Sequence, residues 1–365
     1  MLLSPHLSPR AILLCVLLAS SQASAVPSEP PLAAEDALWS LDQVLRGRKD
    51  TLQDRSDRSI YLSETTTLAM ELAVLRGDRE TFLRERAVLL DRFLSPLGLL
   101  RWRLGRSDDG WCSNASVDDL RAVRALLEAH ERWGDDEDAR LGIRIGRAVL
   151  DHNVRDGVLV DAASWTCGRH APEPPTPGQP GPALTLAFAD LEALRALGLH
   201  EPRANGVLYR TRAVVLAGTL HTDGPQGRYL VDSRSYEPGS GNPIERELQR
   251  VYLLNGQPPD AMGRATSLEI CAQRDDGWRS SDNVAHTATA SRRLARCGLE
   301  TQADEALARL GTFVLDEGPH AGLPGYRHSE DDTVVWAFDV LVALIALEEA
   351  ALRTDSRSQP EAIAP

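Results

Sequence analysis

The chain has 365 residues, of which 42% are hydrophobic and 25% charged, with a net charge of −13 at pH 7. That length accommodates one large domain or two small ones. The acidic balance argues against nucleic acid or anionic membrane surfaces as partners and leaves a neutral or cationic polymer as the better fit.

At the N-terminus, His6 and Arg10 precede an apolar run at 11–19, and Ala23-Ser24-Ala25 forms an A-x-A cleavage site. This is the pattern of a secretory signal peptide over residues 1–25, and it predicts a secreted or periplasmic protein. The apolar run is too short for a membrane span, and no later segment reaches that length. Four cysteines follow: Cys112, Cys167, Cys271 and Cys297. An exported chain with an even count permits disulfides, and the sequence leaves all three pairings open, with buried free thiols as the alternative. The cysteines lack the close Cys/His spacing of a zinc site, so no metal is expected.

The mature chain starts with a proline-rich stretch at 26–34. A first amphipathic helix at 35–48 carries Leu38, Trp39, Leu41, Val44 and Leu45. A second is predicted at 63–76, with Ser63 at its N-cap and Glu64 in its first turn, stopped by Gly77-Asp78. A third follows at 80–93, and the loop at 94–113 carries Trp102 and Trp111. Between 114 and 133, Leu120, Val123, Leu126, Leu127 and Trp133 recur at helical spacing. Ser116 with Asp119 three residues on makes an acidic capping box, so the helix should start near Val117. Asp118 and Asp119 then lie in the first turn, where the helix dipole favours negative charge.

Another helix is expected at 137–152. Residues 168–182 hold six prolines and three glycines and read as a long loop, because the helix-loop-helix rhythm resumes after them. Helices are predicted at 183–197, 203–220, 243–254, 258–274, 283–297, 302–315 and 332–352, with a Gly, Pro and Tyr-rich loop at 222–242. The polar tail 353–365 is expected to be disordered. The motif DDGW occurs at 108–111 and 275–278, each time leading into a helix, a weak repeat of a helical-hairpin unit. About twelve helices without a long alternating strand make an all-α protein. Periodicity leaves a closed ring of hairpins and an open solenoid equally possible.

Two stretches resemble glycoside hydrolase family 8. Ala115, Ser116, Asp119, Ala125-Leu126-Leu127, Ala129 and Trp133 follow that family's signature of Ala, Ser/Thr, Asp, Ala/Gly, Asp, an apolar helix and an aromatic. Val117 stands in place of the first aspartate and Asp118 in place of the small residue. The form ASVDDLRAVRALLEA is similar to the divergent branch found in exopolysaccharide hydrolases. Ser63-Glu64, followed by Leu68, Met70 and Gly77-Asp78, resembles the stretch that carries the family's proton donor, with Thr65 where the family has glycine. The resemblance is strongest over 60–135. It implies an (α/α)6 barrel spanning 26–352 as a single domain. It also implies metal-free and cofactor-free, inverting, endo-type hydrolysis of a β-linked glucan or an amino-sugar exopolysaccharide. A monomer is expected.

Glycoside hydrolysis needs a protonated carboxyl to serve the leaving oxygen and, in inverting enzymes, a carboxylate to activate water. By the resemblance Glu64 is the acid, and Asp119 holds the sugar at the cleavage point, a role Asp118 could share. The base falls at Glu245 or Glu247 in NPIERELQRVYLLNG, with Asp232, Glu237 and Asp190 as alternatives; Asp190 could also face the cleft as a substrate contact. Sugar rings stack on aromatic faces. Tyr61, Trp102, Trp111, Trp165, Tyr229, Tyr236 and Trp278 lie in loops or at helix entries that suit such a cleft, whereas Trp39, Trp133 and Trp336 sit in apolar helical stripes and read as core. There is no G-x-S-x-G elbow, P-loop or H-E-x-x-H motif. A catalytically dead sugar-binding barrel, a helical-repeat protein-binding scaffold and an α/α-barrel lyase are the rivals.

Overall fold

The computed structural model describes residues 41–42, 44–57, 59–104, 111–167, 179–221, 224–273, 276–315, 326–329 and 332–358. The signal peptide expected at 1–25, the proline-rich start, residues 108–110 and 275 of the DDGW repeats, most of the loop at 168–182 and the end of the tail lie outside them.

Eleven α-helices occur among the described residues. In chain order they are α1 (Ser63–Arg76), α2 (Arg79–Val88), α3 (Ser116–Trp133), α4 (Asp136–His152), α5 (Leu191–Gly198), α6 (Arg203–Thr219), α7 (Pro243–Asn255), α8 (Ala261–Ala272), α9 (Val284–Arg296), α10 (Glu300–Leu310) and α11 (Ala337–Ser358). The odd-numbered helices form a ring. Each packs on the next, α1 on α3 and so on round to α11, and α11 packs back on α1. The even-numbered helices pack outside them. Helical residues Leu41 and Leu45 share a core cluster with Leu341 and Leu344 beside α11. Closure of the ring excludes the open solenoid and makes the fold an (α/α)6 barrel.

An inner helix is covered on several sides, and its sequence shows it. In α1, ten consecutive residues from Thr65 to Val74 are buried, so the helix lacks the single apolar stripe of a surface helix. Gly77, at φ 73, ends it by turning its N–H back to Ala73 and Val74, a left-handed cap that a glycine adopts without strain.

Several expected boundaries move. The helix expected at 183–197 starts only at Leu191. Ala183–Thr185 is instead a strand, paired with Arg228–Leu230, which also pairs with Ser235–Glu237. Asp190 caps the shortened α5, accepting from the Ala193 N–H at 3.0 Å. Asp332–Val334 forms a strand with Tyr326–Ser329, and α11 runs on to Ser358, so residues 353–358 of the expected disordered tail are helical. The cysteines form two disulfides, Cys112–Cys167 and Cys271–Cys297.

The barrel axis is polar below its open end. Arg124 of α3 reaches Glu71 of α1 at 3.0 Å and Asp190 at 3.1 Å. Arg292 of α9 reaches Glu71 at 3.4 Å and Glu349 of α11 at 2.8 Å. All five are buried or nearly so, and burial at this depth requires such mutual pairing.

Candidate active site

The N-terminal ends of the inner helices surround one cavity of about 660 Å³. Glu64 enters from α1, Asp118 and Arg121 from α3, Phe188 from the turn before α5, Glu245 from α7 and Asn283 from the entry to α9. Trp336, Phe338 and Asp339 come from the start of α11, and Asp54 and Trp102 from loops. Helix N-termini present unsatisfied N–H groups and positive dipole ends, so a ring of them favours carboxylates at this mouth.

Glu64 lies in the first turn of α1. Its side chain keeps 31% exposure towards the cavity. Burial pushes its carboxyl up to about 7; the charges of Asp118, Asp339 and Asp54 push the same way, and Arg121, 3.9 Å away, opposes them. Asp118 is held on two sides. Ser63 Oγ donates to its Oδ2 at 2.6 Å, and Arg121 Nη1 donates to its Oδ1 at 3.1 Å. Arg121 Nη2 in turn donates to the Tyr252 hydroxyl at 3.3 Å. Burial raises the Asp118 carboxyl, against the pull of Arg121 and Ser63.

Asp119, expected at the cleavage point, faces away from the cavity. It is fully buried and accepts from the Leu100 N–H at 2.8 Å and from Asn114 Nδ2 at 2.9 Å. It ties α3 to the loop that carries Trp102, whose own carbonyl accepts from the Ser63 N–H at 3.0 Å. The capping box does not form either: the α3 N-cap is Ala115, without a side-chain cap. Of the two aspartates it is therefore Asp118 that faces the cavity, and Val117 lines the wall beside it.

Other expected site residues separate cleanly. Glu245 lines the cavity rim, where its Oε2 accepts from Ser240 at 2.7 Å. Glu247 is fully buried and paired with Arg293 and Arg250. Asp232 pairs with Arg155 at 2.6 Å, and Glu237 lies 3.9 Å from Arg228. Asp190 is locked as an α5 cap and Arg124 partner. None of these last four lines the cavity. Trp102 does, with 42% exposure. Tyr61 packs at the edge of the core between α1 and α3. Trp111 is exposed on a strand outside the cavity lining. Tyr236 packs at a tilt against Tyr229, ring centroids 5.1 Å apart, and donates to the Val214 carbonyl. Trp165 and Trp278 are core residues, each 1% exposed.

The sequence reading missed Asp339, Asp54, Arg121 and Trp336. By spacing Trp336 falls in an apolar stripe, yet its ring lines the cavity with Arg55 over it at 4.5 Å. The available signal was Trp336-Ala337-Phe338-Asp339, two aromatics and a carboxylate at a helix entry.

No family model matches the sequence. Over 108 residues it is 31% identical to a candidate lipoprotein, YdaJ, of Bacillus subtilis, a match spanning 30% of each chain. Similar solved structures include a novel alpha-amylase from Clostridium perfringens, with a TM-score of 0.71 and 16% identity over 88% of this chain and 99% of that one. PssZ from Listeria monocytogenes gives a TM-score of 0.62 at 15% identity over 88% and 96%. The family 8 endoglucanase Cel10 from Klebsiella pneumoniae gives 0.57 at 16% over 87% and 99%. The chain has the fold of the family 8 glycoside hydrolases. Identities this low carry the fold and no more.

Proposed function

We propose that the protein is an exported glycoside hydrolase of the family 8 kind, cleaving within a β-linked glucan or an amino-sugar exopolysaccharide with inversion. The observation that carries this reading is Glu64: a carboxyl raised to about 7 at the wall of an aromatic-lined cavity. An acid so poised is protonated near neutral pH and can give its proton to the glycosidic oxygen as the C–O bond breaks. Asp118, fixed by Ser63 and Arg121, offers its remaining lone pairs to a sugar hydroxyl. Trp102 and Trp336 offer faces for sugar rings. The two disulfides support an oxidising compartment, in line with the signal-peptide pattern.

Reducing-end release from β-glucans, chitosan, amino-sugar exopolysaccharides and starch tests the reading. Starch belongs on the panel because one neighbour of the same fold is described as an alpha-amylase. Wild type should cleave one member, and Glu64→Gln should be about 10²–10⁴-fold slower. Equal rates would remove Glu64 from the chemistry. Polymer binding without cleavage would favour the dead sugar-binding barrel.

A further inference from the structure

Inverting hydrolysis needs a second carboxyl that activates water, and the positions first expected to supply it are compromised. Glu247 is buried among arginines away from the cavity, and Glu245 sits on the rim, bonded to Ser240. Asp339 is different. It lies in the first turn of α11 and lines the same cavity as Glu64. Only 6% of the residue is exposed. Among the described residues it has neither a hydrogen bond nor an ion pair. A carboxyl buried against a cavity without a protein partner is costly unless something in the cavity bonds to it.

We propose that Asp339 is the general base of this site, holding and deprotonating the water that attacks the anomeric carbon. The inference rests on the glycosidase reading with Glu64 as the acid. Ring order supports it: α11 packs on one side of α1 and α3 on the other, so Glu64 stands between Asp339 and Asp118. Neighbouring helices pack with axes about 8–10 Å apart. First-turn carboxyls on such neighbours can stand at roughly the 6.5–9.5 Å that an inverting pair spans around a water. The charge of Asp339 also acts on Glu64, which places the two carboxyls within electrostatic reach. The other carboxyls facing this slot are Asp54 and Asp118, with Glu245 on the rim, and Arg121 is the cation among the described lining residues.

In the step, the water oxygen forms a bond to the anomeric carbon while one of its protons passes to the Asp339 carboxylate. The bond from that carbon to the glycosidic oxygen breaks with its electron pair, and the oxygen takes the Glu64 proton. Glu64 ends ionised and Asp339 protonated, and exchange of one proton with solvent resets both. Burial holds Asp339 near 7, so ionised Asp339 with protonated Glu64 is well populated around neutral pH.

The test measures Asp339→Asn and Asp339→Glu on the polymer that wild type cleaves and on a glycosyl fluoride of the same sugar, whose leaving group needs no proton. Asp339→Asn should lose about 10²–10⁴-fold on both substrates and lose the ascending acidic limb of the pH profile, while still binding the polymer. Asp339→Glu, which keeps a carboxyl, should recover part of the rate. Asp339→Asn within tenfold of wild type, or slow on polymer but fast on the fluoride, would overturn the proposal and leave Glu64 as acid untouched. A wild type inert on every substrate would overturn the glycosidase reading and the base together. Asp339→Asn that fails to bind polymer while Asp339→Glu restores binding but no rate would also overturn the proposal, making Asp339 a sugar contact.

Discussion

The Ser63 hydroxyl donates a 2.6 Å hydrogen bond to Oδ2 of Asp118. This bond joins the first turns of two adjacent barrel helices, one of which carries Glu64. Asp118 is thereby held where its charge raises the Glu64 carboxyl, second only to burial as a cause.

Asp118→Asn should shift the pH–rate profile. Removing that charge lets Glu64 ionise more easily, and Arg121, released from Asp118, pulls in the same direction. Under the proposed assignment, with Glu64 as the acid and Asp118 as a sugar contact, the alkaline limb of kcat should therefore move to lower pH, alongside a fall in rate. Ser63→Ala leaves the charge in place and should shift the limb less. A limb that moves upward in Asp118→Asn would contradict this electrostatic account.

Asp339 makes stability depend on pH. Its carboxyl ordinarily titrates near 3.8 and is raised to about 7 in the fold by burial. The folded state therefore binds more protons than the unfolded state between about pH 4 and 7, and stability falls as pH rises through that window. Asp339→Asn removes this residue's share of the dependence, leaving those of Glu64 and Glu128, which burial also raises to about 7. Urea denaturation should show this variant more stable than wild type at pH 8, with the difference shrinking towards pH 4. A difference that grows on acidification would have the wrong sign.

Glu247 and Glu245, two residues apart, should behave oppositely. Glu247→Ala removes a buried carboxylate paired with Arg293 and Arg250 and should cost about 3–5 kcal/mol. Glu245→Ala, at the half-exposed rim, should stay within about 0.5 kcal/mol in stability. Denaturant midpoints of the two variants check this directly.

The Cys112–Cys167 bridge closes 55 residues and pins the strand at 111–113 to that at 163–166. The Ser113 carbonyl accepts from the Trp102 N–H at 3.0 Å, so this bridge also braces a cavity wall. In the chain-entropy picture its loss costs about 4 kcal/mol. Replacing both cysteines by serine should lower Tm and weaken polymer binding. The same change at Cys271–Cys297, which closes 26 residues far from the cavity lining, should lower Tm and leave binding unchanged.

What the sequence disclosed follows the range of the interactions involved. The end of α1 was legible from Gly77 and Glu64 stood out at a helix start, but Ser63 is not the cap expected of it: Leu62 is the N-cap, and the Ser63 hydroxyl goes to Asp118 instead. The apolar spacing from Leu120 to Trp133 marked α3. It could not say which of two consecutive aspartates faces the cavity, because their directions differ by roughly 100° and the choice depends on Ser63, 55 residues away. Asp339 stayed hidden because the helix expected from residue 332 put it in the interior; the strand at Asp332–Val334 moves the start to Ala337, and only ring closure brings it to Glu64. Asp190 is a helix cap rather than a cleft residue because residues 183–185 pair with a strand more than forty residues later, which no local pattern announces.

The central claim is that Glu64 supplies the proton. The measurement that tests it most directly compares Glu64→Gln with wild type on the cleaved polymer and on an aryl glycoside of the same sugar with a strongly acidic phenol as leaving group. Proton donation matters for the first substrate and hardly for the second. The account predicts a loss of about 10²–10⁴-fold on the polymer and near-wild-type rates on the aryl glycoside. Equal losses on both substrates would contradict it.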